Sequence, residues 1–165
     1  MTHVSKEKII EEFKRVLTEE LQVQIDSAKD AREYATDEDA KAENKYDTRG
    51  LEASYLAHGQ SQRIDELRKV IGVLGQLKIR DFKGKSIEAT ALIEVVAETD
   101  GEEETKIFFM VPNRGGVLLK FEGANVTTVS PESPLGSHLF GAKEGDEFEL
   151  NIKNGTVFYT IQEVV

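Results

Sequence analysis

At 165 residues the chain has room for one ordinary domain or two small ones. It has 31 acidic residues against 21 basic ones, and the net charge of −10 argues against a protein that simply coats nucleic acid through clustered Lys and Arg. There is no cysteine, which excludes disulfides, thiolate metal sites and cysteine nucleophiles.

Met1 to Lys8 shows no secretory signal, and no apolar run approaches the ~20 residues a membrane helix needs. A cytoplasmic location is the expectation, and the sequons at Asn125 and Asn154 carry no weight without export.

The chain changes character near Leu77. All three prolines and nine of the thirteen glycines follow that point. Residues 5 to 35 carry Ile10, Phe13, Leu17, Leu21, Ile25, Ala28 and Ala35 at helical spacing, with Ser5 as a plausible start. Residues 47 to 76 form a second helical run with Leu51, Tyr55, Leu56, Ile64, Leu67, Val70, Ile71 and Leu74 as its apolar stripe. His58, Gln60, Ser61 and Gln62 interrupt it. Two such runs joined by a short polar stretch predict an antiparallel helical hairpin over residues 1–76. About 30 residues per helix give an arm of roughly 45 Å.

Residues 77–165 are expected to form a second domain, a mostly antiparallel α+β unit. Strands are predicted over Ser86–Glu98, Lys106–Pro112, Val117–Phe121, Val126–Val129, Glu147–Ile152 and Val157–Val164. Asp100-Gly101 and Asn154-Gly155 are hairpin signals between strand-like runs. Ser133 to Phe140 reads as a short helix with proline at its first position.

Between the helical runs lie five carboxylates, Asp37, Glu38, Asp39, Glu43 and Asp47, within eleven residues. Such a cluster repels itself and does not help a tip to fold, but its oxygens suit sharing a hard divalent ion. It lacks the spacing and glycine of a calcium loop, so no metal site of its own is expected. On composition alone, an acidic loop is simply solvated.

His3, His58 and His138 have no metal-type spacing. His138 reads as a surface or packing residue, while His58 could titrate near neutral pH and loosen its helix. Lys78, Arg80, Lys83 and Lys85 form a basic stretch at the junction. It is first a solvated linker and secondarily a contact for nucleic acid or a protein partner.

The run Ser133-Pro134-Leu135-Gly136-Ser137-His138-Leu139-Phe140-Gly141-Ala142-Lys143-Glu144-Gly145-Asp146 resembles the C-terminal signature of the GreA/GreB transcription elongation factors. In that family SPLG is followed by a Leu, a Gly and a Gly-Asp pair leading into a strand. Leu139, Gly141, Gly145, Asp146 and the run Glu147–Ile152 take those places. The ending, with Asn154-Gly155 and Tyr159-Thr160-Ile161, is similar as well.

This resemblance implies an FKBP-like C-terminal domain docking on RNA polymerase at the secondary channel, with Ser133, Pro134, Leu135 and Gly136 as the binding region. It also implies a coiled coil that carries tip carboxylates to the polymerase's own Mg²⁺. The polymerase then cleaves backtracked RNA, so the factor is no enzyme and has no cofactor, no small-molecule substrate, no membrane and only indirect contact with nascent RNA.

Asp39 and Glu43 are the leading tip residues implied, with Asp37 and Glu38 in reserve. The family's tip runs Asp, two residues, Glu-Asn, two residues, Tyr. Anchoring on Tyr46 gives Asp39 but Ala42 in the Glu position, whereas anchoring on Glu43-Asn44 shifts the frame by one residue, about 100° on a helix. A regulator or inhibitor that occupies the channel without cleavage is therefore the alternative. Prolyl isomerisation, which the FKBP-like resemblance also raises, is disfavoured by the scarcity of aromatics and the absence of Trp.

Overall fold

The computed structural model describes residues 4–36, 49–153 and 155–165. Helix α1 spans Lys6–Thr36 and helix α2 spans Arg49–Leu74. Ser5 starts α1. Its Oγ accepts from the Lys8 N–H at 3.3 Å and its carbonyl from the Ile9 N–H at 3.1 Å, satisfying donors that a helix start leaves open.

The chain divides into two compact units, Lys14–Gln76 on one side and Met1–Phe13 with Leu77–Val165 on the other. One division therefore falls after Gln76 and another falls inside α1.

In the unit Lys14–Gln76 the two helices run antiparallel. Glu20 pairs with Arg63 at 3.7 Å, and Ile25, Ala28 and Arg32 face Ser61, Ile64 and Arg68 across an open cleft of about 460 Å³. Leu17, Leu67, Val70 and Leu74 are buried, while Leu21, Ile25, Ala28, Ile64 and Ile71 are half-buried.

The stripe expected on α2 needs correction in its distal part. Tyr55 and Leu56 are 72% and 66% exposed, whereas Ala57, Gln60 and Ser61 are half-buried. The reason is the period. Leu74, Ile71, Leu67 and Ile64 recur every three and four residues, and continuing that repeat lands on Gln60 and Ala57. Gln60 and Ser61 therefore belong to the seam instead of interrupting it.

The second unit is built on a six-stranded sheet of β1 (Leu92–Thr99), β2 (Glu102–Met110), β3 (Leu118–Phe121), β4 (Ala124–Val129), β5 (Glu147–Ile152) and β6 (Gly155–Val164). Helix α3 (Pro134–Leu139) lies between β4 and β5 in the chain. The strand order is β3-β4-β2-β1-β6-β5. All pairings are antiparallel except β2 with β4, so the sheet is mixed.

The β1–β2 ladder is longer at its turn than expected, because Thr99 pairs with Glu102 across Asp100 and Gly101. Both turn residues have positive φ, 54° and 82°, as a two-residue hairpin turn matched to strand twist requires. The other end is shorter. Strand β1 begins at Leu92 and not at Ser86, since Thr90 sits at φ 78° and breaks the extended run.

Period-two alternation gives the sheet two faces. One carries Ile93, Val95, Ala97, Phe108, Met110, Tyr159 and Ile161 into the main core, which Leu139 of α3 joins. The other buries Leu92, Phe109, Leu119 and Val126 toward the β3 side. Ile9, Ile10 and Phe13 of α1, all buried, belong to this same unit. No helix among the described residues is long and apolar enough to cross a membrane.

Candidate functional site

The signature segment is held by local bonds. Ser133 caps α3: its Oγ accepts from the Gly136 N–H at 3.0 Å and donates to the Ser130 carbonyl at 2.8 Å. Pro134 takes the first helical turn, where its missing N–H costs nothing. After Leu139 the chain turns at Gly141, whose φ of 85° suits glycine, and its N–H bonds to the Ile87 carbonyl at 2.8 Å.

Asp146 closes the next turn by accepting from the Lys143 N–H at 2.8 Å. Its own carbonyl accepts from the Ile161 N–H, which sets up the β5–β6 pair. Every one of these roles is structural. The signature builds a shape.

That shape borders an apolar groove of about 380 Å³. Ser133, Pro134 and Leu135, Leu150 and Ile152 of β5, and Phe108 with Val129 line it. Ile152 is 47% exposed.

Gly115 and Gly116 also line the groove, and sequence reasoning did not single them out. A Cβ on Gly115 would lie 2.5 Å from the Ser130 N, so that rim closes only on a bare glycine. The Asn113-Arg114-Gly115-Gly116 run after β2 was the available signal, a turn cluster with Arg114 at φ 58°. The groove has a single aromatic in its lining, Phe108, which gives no support to prolyl isomerisation.

The carboxylates read as the tip, Asp37, Glu38, Asp39 and Glu43, lie outside the described residues, as do Asp47 and Tyr46. Helices α1 and α2 bracket the segment that holds them. Among the described residues no group of three or more His, Asp or Glu could hold a metal ion. His138 stacks on Phe148, and Phe148 stacks on Tyr159, each at 5.1 Å between centroids, which is a packing role. His58 is exposed.

Two residues of the basic stretch, Arg80 and Lys85, are engaged with their own neighbours. Arg80 pairs with Glu88 at 2.6 Å, and Lys85 Nζ donates to the Asp81 carbonyl at 3.0 Å. Between these lies buried Phe82, whose ring carries the Arg80 guanidinium at 5.2 Å and the Lys6 ammonium at 5.0 Å. Lys6 also donates to the Arg80 carbonyl at 2.7 Å. Burial pushes the Lys6 ammonium below its usual pKa, against the opposing pull of Asp81 and Glu7.

A pair of long helices joined to a small α+β domain with a glycine-shaped apolar groove defines the class of protein. Residues 84–165 match the family described as transcription elongation factor, GreA/GreB, C-term. Over that domain the chain is similar to the GreA/GreB family.

Over 104 residues it is 28% identical to transcription elongation factor GreA of Streptomyces coelicolor, covering 61% of this chain and 59% of that protein. Over 103 residues it is 27% identical to the GreA of Streptomyces avermitilis, with the same coverage. The match thus spans under two thirds of the relatives' length. Among solved structures, GreA factor homolog 1 of Thermus thermophilus aligns with a TM-score of 0.39 at 21% identity, over 92% of this chain and 94% of that one.

Proposed function

We propose that this chain binds RNA polymerase at its secondary channel and stimulates cleavage of backtracked transcripts through the acidic segment between its helices. The observation that carries this reading is the family match over residues 84–165, the part of the chain that holds the signature and its groove. An apolar groove with one wall fixed by the hydrogen bonds of Ser133 suits docking on a protein surface. Ser133, Pro134, Leu135 and Gly136 are the polymerase-binding region in this reading.

The chemistry belongs to the polymerase. Asp39 and Glu43 supply anionic oxygens that help hold the polymerase's Mg²⁺ and orient a water for in-line attack on phosphorus, with Asp37 and Glu38 as reserves. The paired helices supply positioning, so no active site is needed in this chain. The nascent RNA is met only indirectly, at the polymerase centre, and the setting is cytoplasmic.

A stalled, backtracked elongation complex with 5′-labelled RNA tests it. Adding the protein shortens the transcript. The variant Asp39→Asn/Glu43→Gln abolishes shortening while still binding the polymerase. A second reading is favoured by the spacing before Tyr46, which puts Ala42 where a glutamate is expected. In that case the factor occupies the channel and blocks nucleotide addition without cleavage. Absence of any association with polymerase would defeat both.

A further inference from the structure

Strand register lines up an unusual row on the sheet face opposite the main core. Phe158 of β6 stands between Glu98 of β1 and Glu149 of β5, and Glu98 stands opposite Glu103 of β2. The next row is Thr105, Val96, Thr160 and Glu147. None of these eight positions holds Lys or Arg.

Phe158 is 53% exposed although β6 is an interior strand, and the four glutamates have no ion pair or side-chain hydrogen bond among the described residues. One exposed Phe on a surface is ordinary. A Phe flanked by carboxylates on neighbouring strands, beside a like-charged pair directly opposite each other, is not. Directly opposed like charges destabilise a sheet, and none of the eight positions supplies a cation to offset them.

We propose that this face of β1, β2, β5 and β6 docks a basic, amphipathic protein segment. Phe158 takes its apolar side chain, and Glu98, Glu103 and Glu149 take its Lys or Arg groups. Cross-strand neighbours lie about 5 Å apart, so cations one turn either side of an apolar anchor reach the carboxylates. A lysine or arginine can also lie on the Phe158 ring. Charge complementarity selects the occupant: a second copy of this face or a nucleic acid would be repelled. The inference stands apart from the polymerase reading.

The test is an amide-resolved NMR titration of the full chain with a helical peptide of Leu and Lys at amphipathic spacing. A Ser-Lys peptide of equal charge is the control. The Leu-Lys peptide is expected to perturb β1, β2, β5 and β6 and to bind at least tenfold more tightly than the control.

Phe158→Ser and, separately, Glu98→Gln/Glu103→Gln/Glu149→Gln should each raise Kd tenfold or more, while Phe158→Leu retains binding. Circular dichroism confirms that each variant is folded. Neutralising Asp37, Glu38, Asp39 and Glu43 should change nothing at the sheet. Shifts centred on residues 37–47, equal binding of both peptides, or an unchanged Kd for Phe158→Ser would overturn the proposal.

Discussion

The carbonyl oxygen of Ser130 occupies the space that a Cβ on Gly136 would need: such an atom would lie 1.8 Å away. The same carbonyl accepts from the N–H and the Oγ of Ser133, so it is fixed from two sides and cannot step aside without losing the cap of α3. Gly136→Ala is therefore expected to cost about 1–3 kcal/mol or more through overpacking. Ser133→Ala, which loses the cap and the Oγ bond to the Ser130 carbonyl but forces no overlap, should cost about 1 kcal/mol. Urea denaturation of both variants checks the order, and a Gly136→Ala loss smaller than that of Ser133→Ala would contradict it.

The groove beside that helix makes a separate prediction. Ile152 lines it, yet is half exposed on the edge strand β5, so its replacement scarcely touches the core. Ile152→Glu should leave stability within about 0.5 kcal/mol, as surface changes usually do. Under the proposed function it should weaken polymerase binding at least tenfold, because a charge would be desolvated in an apolar contact. Equal affinity of the two proteins for polymerase in a direct binding assay would move the docking surface elsewhere.

Phe13 shows no exposed surface, although it lies in the helix that sequence periodicity assigns to the hairpin. It groups with Leu77–Val165 in the compact unit that contains the sheet. Phe13→Ala is expected to cost about 3–5 kcal/mol, the range for a buried aromatic. Hydrogen exchange should show the loss of protection within β1, β2 and β4. Loss confined to α2 would be the opposite result.

What was legible in the sequence was local. Asp100-Gly101 specifies its hairpin because only certain residues accept two positive φ values in succession. The segment Ser133–Asp146 was readable for the same reason, since its cap, its glycine turns and its Asp146 turn are all bonds between close neighbours.

Long-range facts were not written so plainly. That Ile9 and Phe13 share a unit with the sheet depends on contacts far away in the chain, and helical periodicity is blind to the choice of partner. Strand β1 starts later than the apolar pattern suggests because Thr90 takes a left-handed conformation that its side chain does not announce. Its N–H bonds to the Met110 carbonyl at 2.8 Å, a tertiary reason. The groove was out of reach too: Gly115 meets Ser130, fifteen positions along the chain, only after folding.

Lys6 gives a pH dependence with a definite sign. Burial disfavours its charged form in the folded state, so its folded pKa lies below the unfolded 10.5. Below the folded pKa both states hold the proton and the full burial cost is borne. As pH rises through the folded pKa toward 10.5, the folded state gives up its proton first and the cost is relieved, so this group's contribution to stability rises. Compared with Lys6→Met, which keeps the apolar stem, the wild-type protein should gain relative stability on the alkaline side and show a flat difference near neutrality. Chemical denaturation across that range decides it, and a difference falling with pH would reverse the assignment.

The seam of the helical pair supplies the last test. Ser61 is half-buried beside Ile64, Ile25 and Ala28, and these residues line an open cleft of about 460 Å³ that Lys29, Arg32, Asp65 and Arg68 border. Leu56, five residues earlier, is 66% exposed. A simple count of apolar residues would make Leu56 the stabilising position and Ser61 the interruption, whereas their burial reverses the two. Ser61→Leu should therefore stabilise the protein by about 1 kcal/mol, within the range for space-filling changes. Leu56→Gln should change stability by less than about 0.5 kcal/mol. Thermal melts followed at the helical circular dichroism band measure both. Should Leu56→Gln prove the costly change and Ser61→Leu lower the melting point, the seam would run one position out of step with Ile64, Leu67, Ile71 and Leu74.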